Sequence, residues 1–208
     1  MSEVLDAIVV GAGSAGLGVS YLLKRLGCNH QVLDRGRIRE TWRTRRWDSF
    51  RLNSPTIRSI LPGDSYGGPD PWGAITHHEF AAYLEGYAER HCLPVSTQTP
   101  VKELTKDNGI FRVTTAGGAL LARNVVIATS DQNQQVRPPG SADLPITIHQ
   151  VDSSAYRSAA DIENGAVLVV GSGQSGGQIA EELALAGRVA FDQSQRPLGA
   201  ALSRRQHT

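Results

Sequence analysis

At 208 residues the chain has room for one domain or two small ones around a proper core, and 40% apolar residues with a net charge of +1 are ordinary for a soluble globular protein. That near-balance argues against a nucleic-acid surface built on bulk charge and against a polybasic membrane anchor, and no apolar run approaches the ~20 residues that span a bilayer. The acidic opening, Met1 to Asp6, has no basic n-region, and Cys28 and Cys92 stand alone rather than in a C-x-x-C. The expectation is therefore a cytoplasmic chain with two free thiols and no disulfide relay.

In chain order, the first element is a buried strand, Asp6-Ala7-Ile8-Val9-Val10. It opens into Gly11-Ala12-Gly13-Ser14-Ala15-Gly16 and then into helical spacing of apolar residues from Gly18 to Leu26. The G-x-G-x-x-G spacing between a strand and a helix suits a dinucleotide pyrophosphate. Gly11 permits the tight turn, Gly13 lets the pyrophosphate approach the backbone, and Gly16 lets helix and strand pack closely. The N–H groups of the helix start, aided by its dipole, then hold the phosphate charge. A second strand, Gln31-Val32-Leu33, ends in Asp34, roughly 20 residues on, where a carboxylate can accept from a ribose hydroxyl.

From Arg35 to Arg46 six arginines surround Trp42, and Trp47-Asp48-Ser49-Phe50 follows. Two readings stand: a solvated loop, or a set in which residues such as Arg35 and Arg43 face the diphosphate while Trp42 packs on an aromatic ring. Leu52-Asn53-Ser54-Pro55 leads into a Gly/Pro/Asp-rich stretch from Pro62 to Gly73, and long irregular segments of this kind are usually functional or disordered. Thr76 and Glu79 form a capping box that predicts a helix over 77–91, with Phe80, Tyr83, Leu84 and Tyr87 on one face as core packing. His77 and His78 are adjacent on that helix and cannot both face one metal. After a short strand and turn in 93–101 come three extended pieces, Val101–Leu104, Ile110–Thr115 and Ala119–Ala122, broken by Asp107-Asn108-Gly109 and Gly117-Gly118. These predict a β-meander over about 100–122, delivering the chain to a buried strand, Asn124–Thr129.

The fingerprint then repeats. Ala166–Val170 reads as a strand, Gly171-Ser172-Gly173-Gln174-Ser175-Gly176-Gly177 as the bare turn, Gln178–Ala186 as a helix stopped by Gly187, and Arg188–Phe191 as a strand closing on Asp192. Two such turns in one chain point to electron transfer between two dinucleotides. At the second, Asp192 favours a free ribose 2′-hydroxyl, whereas Ser194, Arg196, Arg204 and Arg205 could receive a 2′-phosphate.

Taken together, these features resemble the N-terminal half of the two-dinucleotide flavoproteins, in particular the flavin-containing monooxygenase family. The resemblance rests on both fingerprints, on Thr41-Trp42-Arg43 to Trp47-Asp48-Ser49, on the strand end Ala128-Thr129, on Gln178-Ile179-Ala180-Glu181-Glu182-Leu183, and on Leu52-Asn53-Ser54-Pro55. It implies an α/β Rossmann-like FAD/NAD(P)-binding fold: a parallel sheet, an inserted three-stranded β-meander, and the start of a second dinucleotide-binding domain. The domain expectation is 1–160 for FAD and 161–208 as a partial NAD(P)H-binding βαβ unit.

By the same resemblance, FAD is held by Gly11, Gly13, Ser14, Ala15, Gly16, Asp34, Arg35, Trp42, Arg43 and Thr129. NADPH, with NADH as the alternative, is held by Gly171, Gly173, Gln174, Ser175, Gly176 and Arg196. Asn53 stands near the flavin, although it reads equally as a plain turn residue. The implied reaction uses NADPH to reduce FAD, which takes up oxygen and passes one atom to a small-molecule substrate. A non-catalytic dinucleotide-binding chain, or one part of a split flavoenzyme, is the competing reading, with a homodimer or a complementing chain as the partner. Three positions depart from the family pattern: Asp152 stands where a histidine is usual, with His149 three places earlier. Ser130 stands where a glycine closes the strand, and the chain reaches Thr208 short of the family's full length.

Overall fold

A computed structural model describes residues 3–130, 135–188 and 190–191. The chain divides into two compact units, Met1–Thr44 with Ser54–Gln134, and Arg45–Asn53 with Gln135–Thr208. Among the described residues no helix is long and apolar enough to cross a membrane, and both cysteines are free.

The first unit is built on strand β1 (Val4–Val10), helix α1 (Ser14–Arg25) and strand β2 (His30–Leu33). α1 carries the chain back across the sheet, so β1 and β2 run parallel, with Ile8 opposite Gln31 and Val10 opposite Leu33. β1 lies between two neighbours and has both faces covered, which is why Ala7, Ile8 and Val9 form an unbroken buried run rather than an alternating one. A short helix α2 (Glu40–Thr44), helix α3 (His77–Arg90) and strand β3 (Val95–Ser96) follow, and then β4 (Glu103–Asp107), β5 (Ile110–Thr115) and β6 (Gly118–Ile127). The six-stranded order is β3-β2-β1-β6-β5-β4.

The meander and the parallel strand expected after it are joined. β6 pairs antiparallel with β5 over Gly118–Ala122 and parallel with β1 from Leu121 to Ile127, as one strand rather than two. Nothing between Ala122 and Asn124 can break it, since Arg123 is an ordinary strand residue with an exposed side chain. The β4–β5 hairpin turns at Asn108 (φ 47°) and Gly109 (φ 82°), the pair of positive φ values that matches the twist of the flanking strands. Ile8, Leu33, Val113 and Ala122 form a core cluster joining both halves of the sheet.

α3 starts as its sequence predicts. The Thr76 hydroxyl accepts from the Glu79 N–H, and the Glu79 carboxylate accepts from the Thr76 N–H at 2.9 Å. Its aromatic face does more than fill a core. Tyr83 accepts from the Leu61 N–H at 2.7 Å, and Tyr87 donates to the Pro62 carbonyl at 2.6 Å. Asp64 meets Arg90 at 2.6 Å and His91 at 2.8 Å. The Gly/Pro-rich segment therefore begins with three anchors on one helix, and the backbone bonds Thr56 N–H to Gly73 and Ile57 N–H to Pro71 close its far end.

Burial works against the Asp64 charge, but the bonds from Arg90 and His91 outweigh it and hold the carboxyl below its usual range. A depressed folded value means that the stabilisation is present above the unfolded value near pH 4 and is lost as pH falls through the folded one. Asp64→Asn is accordingly expected to lower the melting temperature at neutral pH, the gap to the parent closing as pH falls below the unfolded value near 4. A thermal melt series over pH 2–7 checks it, and a gap independent of pH would contradict the assignment.

In the second unit a two-residue strand β7 (Val167–Leu168) pairs parallel with β8 (Ala190–Phe191) around helix α4 (Gln174–Leu185). β7 is shorter than the expected Ala166–Val170 because the ladder holds only at Val167–Ala190 and Leu168–Phe191. Ile179, Ala180 and Leu183 form the buried face of α4. Trp47, Phe50 and Tyr156 are buried as well, with Trp47 edge-on to Phe50 at 4.8 Å between ring centres.

Candidate functional site

Each fingerprint becomes the same object, a glycine turn feeding a helix N-terminus. In the first unit Gly11 has φ +110°, and a Cβ there would stand 2.8 Å from the Ala128 carbonyl carbon at the end of β6. Gly16 packs so close to the turn that its Cβ would fall on the Gly11 carbonyl, 3.0 Å from the carbon and nearer still to the oxygen. Gly13 differs, since nothing lies within 4 Å of where its Cβ would be. Two glycines are thus required by the protein's own backbone, and the third leaves open space. Gly13 is also the N-cap of α1, with no side-chain cap and no acidic residue in the first turn. The first-turn N–H groups, those of Ser14, Ala15 and Gly16 among them, keep their donor capacity and positive dipole end for an anion. Ser14 is half-buried and Ala15 exposed.

The second turn repeats this geometry. Gly171 has φ +120°, Gly176 would place its Cβ 3.0 Å from the Gly171 carbonyl carbon, and Gly173 has open space around it. Gly173 caps α4 with φ −73° and ψ −179°, against −82° and −174° for Gly13, again without a side-chain cap or a first-turn acid. Gln174 and Ser175 are the exposed first residues of α4. One difference separates the two turns: no described neighbour stands over Gly171 as Ala128 does over Gly11.

Asp34 follows β2 and reaches back to the first turn. Its Oδ2 accepts from the Ala12 N–H at 2.6 Å and its Oδ1 from the Gly36 N–H at 2.8 Å. The carboxylate therefore braces the glycine turn, and each oxygen keeps lone-pair capacity for a ribose hydroxyl. Thr129 follows β6, its backbone nitrogen next to Gly11, so the structure brings it to the same turn. Arg35 lies exposed beside Asp34. Trp42 and Arg43 contact α3: Trp42 is edge-on to Phe80 at 5.0 Å, its carbonyl accepts from His77 Nδ1 at 2.9 Å, and Arg43 reaches Glu85 at 3.7 Å. Arg39 also pairs with Glu85, and Arg37 with Glu40 at 2.8 Å, which accounts for part of the arginine run by ordinary ion pairs. Arg196, with Asp192, Ser194, Arg204 and Arg205, lies outside the described residues.

Asn53 belongs to the second unit, where it meets Gln178 of α4 at 2.7 Å. Of the departures, Asp152 makes a two-point pair with Arg137 at 3.1 and 2.8 Å, and His149 is exposed. Ser130 adopts φ +62°, the left-handed conformation that a glycine would occupy freely. Ser130→Gly is expected to stabilise the first unit by about 0.5–1 kcal/mol. It removes roughly 1–2 kcal/mol of left-handed strain, of which glycine's greater unfolded freedom takes back about 0.5–1 kcal/mol. Urea unfolding measures the difference, and a destabilised variant would refute it.

Among the described residues no group of three His, Cys, Asp or Glu side chains is placed to hold a metal ion. Two bare anion sites at helix starts are thus the chemistry on offer, and the donor set fits a dinucleotide at each. A family model described as pyridine nucleotide-disulphide oxidoreductase matches residues 8–191, from the first fingerprint strand through the second. The chain belongs to that family. Its relatives and structural neighbours include oxidoreductases, monooxygenases and a flavin-containing monooxygenase. It is 40% identical over 184 residues to an uncharacterized CzcO-like oxidoreductase of Geobacillus kaustophilus, covering 88% of this chain and 52% of the relative. It is 31% identical over 201 residues to the indole-3-pyruvate monooxygenase YUCCA8 of Oryza sativa subsp. indica, covering 90% and 48%. Among solved structures, the flavin-containing monooxygenase from Stenotrophomonas maltophilia superposes with TM-score 0.75 at 27% identity, over 95% of this chain and 59% of that one. The bacillithiol disulfide reductase Bdr of Staphylococcus aureus shares the fold, with TM-score 0.77 at 21% identity over 92% and 57%. The chain spans about half the length of the curated relatives it matches.

The sequence reading missed Ala128, Gln178 and Glu182 as contributors. All three stood in segments that carry the family resemblance, and the four-residue spacing of Gln178 and Glu182 put those two on one face of their helix.

Proposed function

We propose that this chain provides the dinucleotide-binding machinery of an FAD- and NAD(P)H-dependent oxidoreductase of monooxygenase type, acting in the cytoplasm on a small organic substrate with oxygen. The observation that carries the reading is the duplication of one geometry, in which Gly16 and Gly176 are forced by backbone contact while Gly13 and Gly173 are left bare at uncapped helix starts. A structural need for small residues would explain the first pair and not the second.

The domain of 1–160 would take FAD and the part from 161 would take NADPH, with NADH as the alternative. The N–H groups of the α1 start would hold the FAD pyrophosphate, Asp34 its ribose, and Thr129 the neighbouring backbone. The α4 start, with Gly171, Gly173, Gln174, Ser175 and Gly176, would hold the nicotinamide dinucleotide. When bound, the flavin supplies the redox chemistry, passing reducing equivalents from the nicotinamide to oxygen. The protein supplies binding, orientation and exclusion of water, and Asn53 a hydrogen bond near the reactive ring. A complex of FAD and NADP with OTEMO shares this fold, with TM-score 0.65 at 19% identity over 92% of this chain and 39% of that one.

The test is direct: record the visible spectrum of the purified protein, and follow NADPH oxidation with and without oxygen. A yellow protein that NADPH bleaches and air recolours supports the reading. Hydrogen peroxide as the sole oxygen product would make it a simple reductase. A colourless protein that leaves NADPH untouched would replace it with a dinucleotide-binding chain without turnover.

A further inference from the structure

We propose that Gln178 is a positioning residue that sets which way the Asn53 side-chain amide points. The inference rests on the reading that gives Asn53 a hydrogen bond near the flavin. Gln178 sits one turn into α4 and makes three bonds to the segment Arg51–Asn53. Its Oε1 accepts from the Arg51 N–H at 3.3 Å, and its Nε2 donates to the Arg51 carbonyl at 3.0 Å and to Asn53 Oδ1 at 2.7 Å. The two bonds to Arg51 determine the polarity of the Gln178 amide, because a carbonyl can only accept and a backbone N–H can only donate. With the amide locked that way round, a donor faces Asn53. Asn53 must then answer with its oxygen, which turns its NH₂ group away from Gln178 as a donor. One helical turn further along the same face, Glu182 accepts from Ser49 Oγ at 2.6 Å and from the Ala159 N–H at 3.1 Å. Two side chains of α4 therefore grip the segment Ser49–Asn53, and the helix that opens at the second glycine turn also sets the hydrogen-bonding polarity of Asn53.

Gln178→Glu keeps the shape and the acceptor for the Arg51 N–H but has no donor for either the Arg51 carbonyl or Asn53. In the full chain selectively labelled with ¹⁵N-asparagine, the variant is expected to reverse the Asn53 amide. Its Nδ2 protons then bond to the new carboxylate, shift downfield and exchange with water about tenfold more slowly, an effect that lost packing alone would not produce. Gln178→Ala, the second variant, is expected to leave the Asn53 signal averaged between orientations. An Asn53 signal identical in the parent and both variants would overturn the proposal.

With FAD and NADPH present, Gln178→Glu is expected to lower kcat about tenfold with the KM for NADPH unchanged, and adding Asn53→Ala should lower it no further. A reversed Asn53 amide with unchanged turnover would uphold the positioning and refute the role of Asn53 near the flavin, so the two ideas fail separately.

Discussion

Gly16→Ala is expected to unfold the first unit, whereas Gly13→Ala is expected to leave its melting temperature within a degree or two and to weaken FAD binding by more than tenfold. The two glycines are three residues apart in one turn, yet their surroundings are opposite. A methyl group on Gly16 would overlap the Gly11 carbonyl and reach within 3.4 Å of the Ala128 Cβ. Both neighbours are held by the sheet: Gly11 N–H bonds to the Leu33 carbonyl at 2.8 Å, and Ala128 N–H to the Val10 carbonyl at 2.8 Å. Relief would require α1 to lift from β1, uncovering Leu17 and Ile8, both fully buried. Ordinary overpacking costs about 1–3 kcal/mol where side chains can yield. Here only backbone is available to yield, so the loss is expected to exceed roughly 4 kcal/mol, a large share of the 5–15 kcal/mol that holds a typical domain together. At Gly13, by contrast, φ −82° suits any residue and the space is empty. Its methyl would intrude only on whatever approaches the helix start. Thermal melts and FAD titrations of both variants decide the matter. A Gly16→Ala protein that melts like the parent would remove the packing argument, and a Gly13→Ala protein with parental FAD affinity would remove the first phosphate site. The same contrast is expected between Gly176 and Gly173 in the second unit.

What the sequence made legible was local chemistry. The capping box at Thr76, the Asn108-Gly109 turn and both bare glycine turns each depend on residues a few positions apart, and each formed as its spacing implied. Pairings across long separations were not legible, because periodicity says which face is buried and not what covers it. Ala128 stands over Gly11 from 117 positions away, and Gln178 meets Asn53 across 125. Asp34 shows the limit most clearly. Its place after β2 was read as a ribose ligand, but its first partners are the N–H groups of Ala12 and Gly36, so the same carboxylate that suits a ribose also ties the glycine turn to the neighbouring strand. The arginine run was likewise ambiguous until Glu85, some 40 positions on, was seen to take both Arg39 and Arg43. Charge near charge is visible in sequence only at helical spacing, as at Arg37 and Glu40.

Tyr87→Ala is expected to destabilise the first unit by about 3–5 kcal/mol, and Tyr87→Phe by roughly 1–2 kcal/mol. The ring is fully buried and packs on Tyr21 at 6.0 Å and edge-on to His91 at 4.6 Å between ring centres, so truncation leaves a cavity among aromatic neighbours. Phenylalanine keeps that packing and removes only the hydroxyl, leaving the Pro62 carbonyl without its 2.6 Å donor. The pair of variants therefore separates core filling from the anchoring of the segment that begins at Pro62. The hydroxyl also carries its own pH dependence. Burial, with the nearby Tyr83, Asp64 and Tyr21, pushes the Tyr87 phenol well above its ordinary value, so the folded protein keeps the proton that the unfolded chain gives up near pH 10. A raised folded value means that stability is fully present below that point and declines as pH rises beyond it. Tyr87→Phe should thus be less stable than the parent at pH 7 and lose less on going to pH 11. Urea unfolding at both pH values measures this double difference, and limited proteolysis between Leu61 and Gly73 reports the released segment. Equal stability of the phenylalanine variant at pH 7 would mean that the hydroxyl does not anchor Pro62 and that α3 holds the irregular segment through Tyr83 and Asp64.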